Sequence, residues 1–209
     1  MLTPRALNAC DSASEYCNRI DVAWEDPASS AQPLPAALTM LGLRLGYSNL
    51  RDLRNKFGRT QILHRDECGG KEFCFESSSG EKPVTLIVDV WGNRLRSFVV
   101  LGDRLNDNRC VTSSLVRSTL ATDDGLRLGM SSVEVERILG KPNKLMPDAI
   151  AYSFEARTRM TNKDVRALQS HWPRAEIVSD PFWNVWSIIA IGLHNSQVRC
   201  FRVQTTRTW

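Results

Sequence analysis

The chain lacks the features that most directly mark a membrane protein or an enzyme. Across its 209 residues no apolar run approaches the ~18 residues needed to cross a membrane. The histidines are few, have no motif around them and stand far apart: His64, His171 and His194. No Gly-x-Ser-x-Gly elbow, phosphate-binding loop or dinucleotide fingerprint occurs. We therefore predict no membrane span, no cofactor and no catalytic residue, although a triad assembled from distant positions is left open.

The charge of the chain has little bias toward either sign. The formal net charge is +4, from 27 Lys and Arg against 23 Asp and Glu, and the arginines are spread along the sequence. Nucleic-acid-binding proteins usually concentrate basic residues in one patch or stripe. We therefore predict no nucleic-acid partner. The hydrophobic content of 42% and charged content of 24% are those of an ordinary globular protein.

The cysteines form no C-x-x-C pair, and no histidine pair stands near them at zinc-ligand spacing, so we predict no metal site. We consider all of them disulfide candidates: Cys10, Cys17, Cys68, Cys74, Cys110 and Cys200. The segment CGGKEFC, residues 68–74, suggests a bridge between its own two cysteines. The alternative is a set of reduced, buried thiols in a cytosolic protein.

Disulfides are typical of exported proteins, which are made with a signal peptide. The first ten residues, MLTPRALNAC, contain no apolar stretch of that kind. We expect a periplasmic or secreted protein whose leader was removed, with Met1 added as a start. Whether an acyl anchor once preceded the chain is left open.

A five-residue phrase, GLRLG, occurs at residues 42–46 and again at residues 125–129. We interpret it as turn geometry, because a short helical pattern that ends at a glycine follows each occurrence. An alternating strand comes next in both places. Two strands joined by a tight turn then follow, at residues 88–100 and 190–203. Three blocks in one order predict an internal duplication.

The duplication predicts how the chain is organised. Residues 1–35 form an N-terminal helical extension and linker, residues 36–105 the first repeat and residues 106–209 the second repeat. The second repeat carries a helical insertion near residues 160–183. Each repeat is predicted as a short helical segment followed by three or four antiparallel strands. The fold class is α+β, with the helices on one face of the sheet and the other face open.

The order of motifs resembles a known unit. The phrase G-[MY]-S, a helix, G-x-P, an aromatic-x-aromatic strand and a hairpin with a Gly/Asn turn are similar to the domain of the small outer-membrane assembly lipoproteins. Its tandem duplication resembles the β-lactamase inhibitory protein family. The resemblance implies an exported binding protein, which serves envelope assembly as a single unit or inhibits an enzyme with a concave sheet as a pair. A β-lactamase target is not implied, because the cysteines do not repeat and the extension and insertion are extra.

The last strand of each repeat supplies candidate partner-binding residues. By strict alternation Arg96 and Phe98 point to the open face, and so do their counterparts Arg199 and Phe201. Arginine and aromatic side chains are enriched at interface hot spots. The alternative is that both phenylalanines belong to the core.

Further candidates lie at the turns and in the insertion. Trp91 and His194 occupy matching places before the two tight turns, and we expect them to line one rim. The insertion concentrates aromatic residues in a short stretch, namely Trp172, Phe182, Trp183 and Trp186. Such a cluster suggests an exposed recognition feature. The alternative is a small core in which these residues pin the inserted helix.

We predict that the function is protein binding, by an inhibitor or immunity-type protein that occludes a partner enzyme or toxin. Two repeats offer a surface wide enough for ~800 Å² per partner. Disulfides would supply the rigidity that inhibitors need. Two alternatives are kept: a cell-envelope (outer-membrane) assembly or scaffold component, and an enzyme whose site is not visible in the sequence. The partner's identity and the oligomeric state are left open.

Overall fold

The fold is described from a computed structural model over residues 38–58, 60–65, 69–78, 80–171 and 181–208. Several predictions fall outside these residues: the helical extension within 1–35, Cys10, Cys17, Cys68 and Trp172. Within the described ranges, no helix is both long enough and apolar enough to cross a membrane.

The described part of the chain is mostly antiparallel β-sheet with three short helices, which fits the predicted α+β class. The helices are α1 (Leu50–Phe57), α2 (Ser132–Leu139) and α3 (Asn162–His171). The strands are β1 (Thr39–Met40), β2 (Leu43–Arg44), β3 (Ile62–Arg65), β4 (Lys71–Glu76), β5 (Thr85–Trp91), β6 (Arg94–Leu101), β7 (Val111–Thr112), β8 (Lys144–Met146), β9 (Ala149–Arg159), β10 (Phe182–His194) and β11 (Gln197–Thr208).

One nine-stranded sheet organises the molecule, in the order β3-β4-β5-β6-β11-β10-β9-β8, with β7 beside β4. Its centre is the antiparallel pair β6–β11, in which Phe98 lies opposite Val203 and Phe201 lies opposite Val100. In the predicted repeat Phe98 corresponds to Phe201, and Val100 corresponds to Val203. The register is therefore symmetric, and each half continues outward from the centre in the same strand order. That the halves are copies of one unit stays a prediction.

Capping boxes start the first two helices. At α2 the Ser131 N–H donates to the Glu134 carboxylate at 2.8 Å, and the Glu134 N–H donates to the Ser131 hydroxyl at 3.3 Å. Asn49 and Asp52 make the same reciprocal bonds at α1. These bonds satisfy N–H groups that have no partner within the helix. The helix starts after both GLRLG phrases are therefore encoded locally.

Both GLRLG phrases form turns, as predicted. Gly46 has φ +74° and Gly129 has φ +79°, values that favour glycine. The Gly46 N–H donates to the Leu95 carbonyl at 2.8 Å, and the Gly129 N–H donates to the Val198 carbonyl at 2.8 Å. Each turn therefore ties the segment before a helix to the start of the last strand of its own half.

The helices α1 and α2 pack on one face of the sheet and form the main core with large side chains such as Leu53, Phe73, Phe75, Val135, Tyr152 and Phe201. The opposite face is not left open on β5, where Thr85, Ile87 and Asp89 are buried. The segment after β6 returns near this face, because Leu105 and Cys110 pack on the cluster that contains Ile87. The prediction of an open second face is wrong for this part of the sheet.

A disulfide joins Cys74 of β4 to Cys110, with their Cα atoms 4.5 Å apart. The predicted bridge between Cys68 and Cys74 is therefore wrong. The physical reason is the parallel pairing of β7 with β4, which places Val111 opposite Phe75 and so brings the residues before them together. Cys200 is also in a disulfide, whose partner lies outside the described residues.

A β-bulge in each half changes which side chains face the helices. Arg96 is an extra residue in β6, because Leu95 and Ser97 pair with consecutive residues of β5. Arg199 is the extra residue at the matching place in β11. A bulge interrupts the alternation of side chains along a strand. Leu95 and Phe98 therefore both belong to the core beneath the helices.

Phe98 and Phe201 are consequently core residues, with 1% and 0% of their surface exposed. The prediction that they lie on an open binding face is wrong, because strict alternation was counted through the bulge. The two bulge arginines differ from them: Arg96 is partly exposed and Arg199 is exposed.

The insertion builds a small core of its own. Met160 and Leu168 are buried there, with Val165 and Trp183 packed against them. The helix α3 starts at a further capping box, in which the hydroxyl and the N–H of Thr161 both donate to the Asp164 carboxylate. For Trp183 the prediction of an exposed recognition feature is wrong, because the inserted helix needs this ring as a packing partner.

Candidate partner-binding surface

The two predicted turn residues lie at opposite ends of the sheet centre. Trp91 precedes the turn into β6, and His194 precedes the turn into β11. Because β6 and β11 are antiparallel, the starts of these strands point away from each other. The prediction that Trp91 and His194 line one rim is therefore wrong. Trp91 stays near Arg96, and His194 borders a cleft with Arg199.

The Trp91 end carries a concentration of arginine and aromatic side chains. We call it the arginine–aromatic surface and define it as Arg44, Tyr47, Trp91, Arg94, Arg96 and Arg207. Trp91 is 51% exposed and Tyr47 is 44% exposed, which places both among the most exposed large apolar residues of the described chain. A cleft of about 180 Å³ lies beside Trp91, lined by Gly46, Trp91, Arg94, Arg96 and Arg207 among others.

Tyr47 gathers three arginines from separate segments of the chain. The guanidinium carbons of Arg44 and Arg207 each lie 4.3 Å from the centre of its ring. Arg94 donates from Nη1 to the Tyr47 carbonyl. A guanidinium over an aromatic face is attracted by the ring's negative π-electron density. Tyr47 therefore brings together three positively charged side chains that would otherwise repel one another.

Arg96 lies between the exposed Trp91 ring and a buried acidic residue. Its Nε donates to Asp89 Oδ2 at 2.5 Å, and its guanidinium lies 5.8 Å from the centre of a Trp91 ring. Asp89 is buried, with 5% of its surface exposed. Because the bulge places Arg96 between a buried carboxylate and an exposed indole, the ion pair restricts the orientation of the arginine. The exposed ring thus rests on a fixed partner.

Three arginines of this surface have no ion-pair partner in the described chain, although the positive charge of Arg207 helps to lower the pKa of the Asp164 carboxyl from a distance. Among the described residues, no Asp or Glu forms an ion pair with Arg44, Arg94 or Arg207. The Nε atom of Arg207 is also buried without a hydrogen-bond acceptor in that part of the chain. Guanidinium groups strongly prefer bidentate carboxylate or phosphate partners. The surface is therefore locally cationic, although the whole chain carries only +4.

The matching place in the other half has a different chemistry. Backbone bridges join Asn49 to Arg94 in one half and Ser131 to Gln197 in the other, so the two places correspond. The corresponding side chains, which we call the counterpart surface, are His194 for Trp91, Gln197 for Arg94 and Arg199 for Arg96. Tyr47 has no counterpart there, because the carbonyl that accepts from the last strand belongs to Ser48 in the first half and to the buried Met130 in the second. There Arg199 forms an ion pair with Asp103. Trp91 and Tyr47 thus lie at one of the two corresponding ends of the sheet, together with Arg207 from the second half.

The remaining aromatic candidates lie along β10. Phe182 is half-buried, with the Arg157 guanidinium 4.9 Å from the centre of its ring. Trp186 is half-buried and lies opposite Thr206, a residue that lines the cleft of the arginine–aromatic surface. Of the aromatic residues predicted in the insertion, Trp186 is therefore the one that the sheet brings beside this cleft.

The sequence analysis missed four members of the surface: Arg44, Tyr47, Arg94 and Arg207. A signal for two of them was present in the repeat. The residue after GLRLG is Tyr47 in the first half and Met130 in the second, and Arg94 corresponds to Gln197. Positions at which one predicted repeat is aromatic or charged and the other is not are where a surface specific to one repeat would be sought.

Groups that could hold a metal or carry out catalysis are sparse in the described chain. One set of ligand atoms gathers there, from Cys74, Glu76 and Cys110. The two sulfurs form the disulfide, and Glu76 accepts the Leu105 N–H at 3.0 Å. A metal needs thiolates, so this set cannot bind one while the disulfide is intact.

No protein-family model, curated protein or solved structure matches this chain. The resemblance to the outer-membrane assembly and β-lactamase inhibitory families therefore stays a prediction. The function has to be argued from the surface itself.

Replacing Gly46 with alanine tests the packing of this surface. A Cβ at Gly46 would lie 3.2 Å from Arg207 Nη2, whereas a Cβ at Gly129 meets nothing within 4 Å. Both positions have positive φ, so each substitution should cost about 1 kcal/mol of folding free energy. We expect Gly46→Ala to cost more than Gly129→Ala in urea denaturation, because it also displaces Arg207 from Tyr47. Equal losses would contradict the close contact.

Proposed function

We propose that this chain is an exported protein-binding protein that occludes a partner enzyme or toxin, as an inhibitor or immunity-type protein does. The observation that carries the proposal is the arginine–aromatic surface. Trp, Tyr and Arg are the residues that most often dominate binding energy at protein interfaces. Here Trp91 and Tyr47 are exposed beside arginines that lack acidic partners. A bound protein would cover the aromatic rings and pair with the charges.

Rigidity of the surface supports occlusion of a partner. The Trp91 ring rests on an arginine that is paired with buried Asp89, and Tyr47 contacts Arg44 and Arg207. A side chain that is already fixed loses less conformational entropy on binding, which favours tight complexes. The surface also lies on a strand end and a hydrogen-bonded turn rather than on a long loop.

In this proposal, the disulfides indicate the cellular compartment in which the protein works. Cys74 and Cys110 are bonded, and Cys200 is bonded as well. Disulfides persist in oxidising compartments and are rare in the cytosol. We therefore place the protein in the periplasm or outside the cell.

We further infer that residues 36–105 and 106–209 are two copies of one unit. The symmetric register of β6–β11 and the matching turn bonds of Gly46 and Gly129 support this inference. Duplication gives a symmetric sheet with two corresponding places, of which one can change while the other keeps the fold. Divergence at Tyr47 and Arg94 would then have produced a binding surface at one end only.

Affinity capture with matched baits tests the proposed function. The oxidised full chain, Trp91→Ala and Val133→Ala would be immobilised and exposed to an envelope or secreted extract of the encoding organism. Val133 is a suitable control because it is 66% exposed on α2, outside the surface. We expect a hydrolase or toxin to be retained by the parent and by Val133→Ala, to be depleted on Trp91→Ala, and to lose activity when the chain is added.

Two outcomes would contradict this proposal. Equal retention on all three baits would show that the partner does not use the arginine–aromatic surface. Recovery of outer-membrane assembly proteins, without inhibition of any activity, would favour a scaffold component of the envelope instead.

A further inference from the structure

We propose that the arginine–aromatic surface recognises a carboxylate-rich segment of its partner, an acidic loop or terminus whose side chains pair with Arg44, Arg94 and Arg207. This inference rests on the proposed function, because it names the chemistry of the partner at the same surface. It goes further by predicting which groups of the partner enter the cleft.

Three arginines of this surface already contact other side chains. Arg96 donates the hydrogen bond of its Nε atom to Asp89, and its guanidinium holds Trp91 in place. The guanidinium carbons of Arg44 and Arg207 lie over the Tyr47 ring. The N–H groups of a guanidinium lie in its plane, so stacking leaves them available for hydrogen bonds. Arg44 and Arg207 can therefore stack and bind carboxylates at once.

The cleft adds a place for those carboxylates. It is lined by Arg94 and Arg207, and it holds about 180 Å³ beside the exposed Trp91 ring. Hydrogen bonds between guanidinium and carboxylate groups are stronger than those between neutral groups. Dissolved salt screens such charged contacts less in a partly enclosed cleft than at an open surface.

The same features argue against a nucleic acid or a membrane as the occupant. A single-stranded nucleic acid is usually bound by several aromatic faces on which successive bases stack, whereas here two arginines lie over the Tyr47 ring and Trp91 is the exposed ring beside the cleft. Anionic membranes are usually bound by clusters of about four to eight Lys or Arg residues. Here the unpaired cations are three arginines, of which Arg94 and Arg207 line the cleft and Arg44 lies over the Tyr47 ring. An acidic protein segment matches that small, concave arrangement.

The counterpart surface provides an internal comparison. It keeps the same backbone bonds but presents His194 and Gln197, has no residue in place of Tyr47, and its Arg199 is paired with Asp103. Arg44 keeps an equivalent in Arg127, but Trp91 and Arg94 are replaced there, and Arg199 is already neutralised by Asp103. Recognition of acidic segments should take place at one end of the sheet only.

Fluorescence anisotropy with a short fluorescein-labelled poly-L-glutamate peptide tests the inference on the oxidised full chain. The test variants are Arg94→Gln, which installs the counterpart residue, and Arg207→Ala. The controls are Arg137→Ala, which removes one charge from an exposed position on α2, and Gln197→Ala at the counterpart surface. We expect the test variants to weaken binding about fivefold or more and the controls to change it less than about twofold. Melting temperatures would confirm that every variant is folded.

The salt dependence and the competing probes decide the outcome. Affinity for poly-L-glutamate should fall as salt is raised, because the contacts are ionic and lie near the surface. Absence of binding, or an equal loss in Arg137→Ala, would overturn the inference. Tighter binding of a single-stranded oligonucleotide or of anionic phospholipid vesicles, with the same dependence on Arg94 and Arg207, would also overturn it by assigning the surface to that class.

The two proposals can fail separately. If a captured partner binds through Trp91 but is unaffected by Arg94→Gln and by poly-L-glutamate, protein binding stands and the acidic segment is wrong. If poly-L-glutamate binds with the expected arginine dependence but no protein is captured, the carboxylate-binding surface stands and the inhibitor proposal is wrong.

Discussion

Replacing Phe201 with alanine is expected to lower the free energy of unfolding by about 3 to 5 kcal/mol. The side chain is 0% exposed and belongs to the main core between the sheet and its helices. It sits at the centre of the sheet, opposite Val100 of β6. Removing the ring would leave a cavity where the two halves meet. Urea denaturation of the purified, oxidised variant measures the loss.

The symmetric register provides a partner for this experiment. Phe98 occupies the corresponding position and is 1% exposed, so Phe98→Ala should cost a similar amount. Leu145→Ala is the control, because Leu145 is 66% exposed and its loss should change stability by less than about 0.5 kcal/mol. If Phe201→Ala left stability unchanged and weakened partner binding, the core assignment would be wrong and the residue would return to the binding surface.

The contrast between Phe201 and Arg199 explains what the sequence could and could not predict about the fold. The helix starts, the hairpins and the recurring turns were predictable, because each depends on residues a few positions apart, such as Ser131 and Glu134. The facing of side chains was not, since one extra residue at Arg199 reverses the alternation for the rest of the strand. A bulge is set by the neighbouring strand, and no local pattern announces it.

Some residues of the binding surface were likewise predictable from the sequence, and others were not. Trp91 and Arg96 were predictable, because they flank one tight turn and belong to residue types that are common at interfaces. Arg44 and Tyr47 belong to one turn, but Arg207 reaches them only because β11 lies beside β6 and its far end meets this turn at Gly46. Such proximity between distant segments follows from strand order, which a single sequence does not specify. The covered second face was missed for the same reason.

The loss of the Cys74–Cys110 disulfide is the second change with a large expected effect. The bond closes a loop with a sequence separation of 36, and closing a loop of this length restricts the unfolded chain enough to stabilise the fold by about 3 to 4 kcal/mol. The bond also fastens β7 beside β4, with Leu105 and Cys110 against the cluster around Ile87. We therefore expect the Cys74→Ala/Cys110→Ala double variant to unfold at a markedly lower urea concentration than the oxidised parent.

Treatment of the parent with a thiol reductant provides the control that the double variant needs. Reduction also opens the disulfide of Cys200, so it should destabilise the chain at least as much as the double substitution does. If the double variant is as stable as the oxidised parent, packing of Leu105 alone holds the segment after β6, and the case for an oxidising compartment weakens. A loss of the expected size would instead mean that the chain relies on this bond, as exported proteins commonly do.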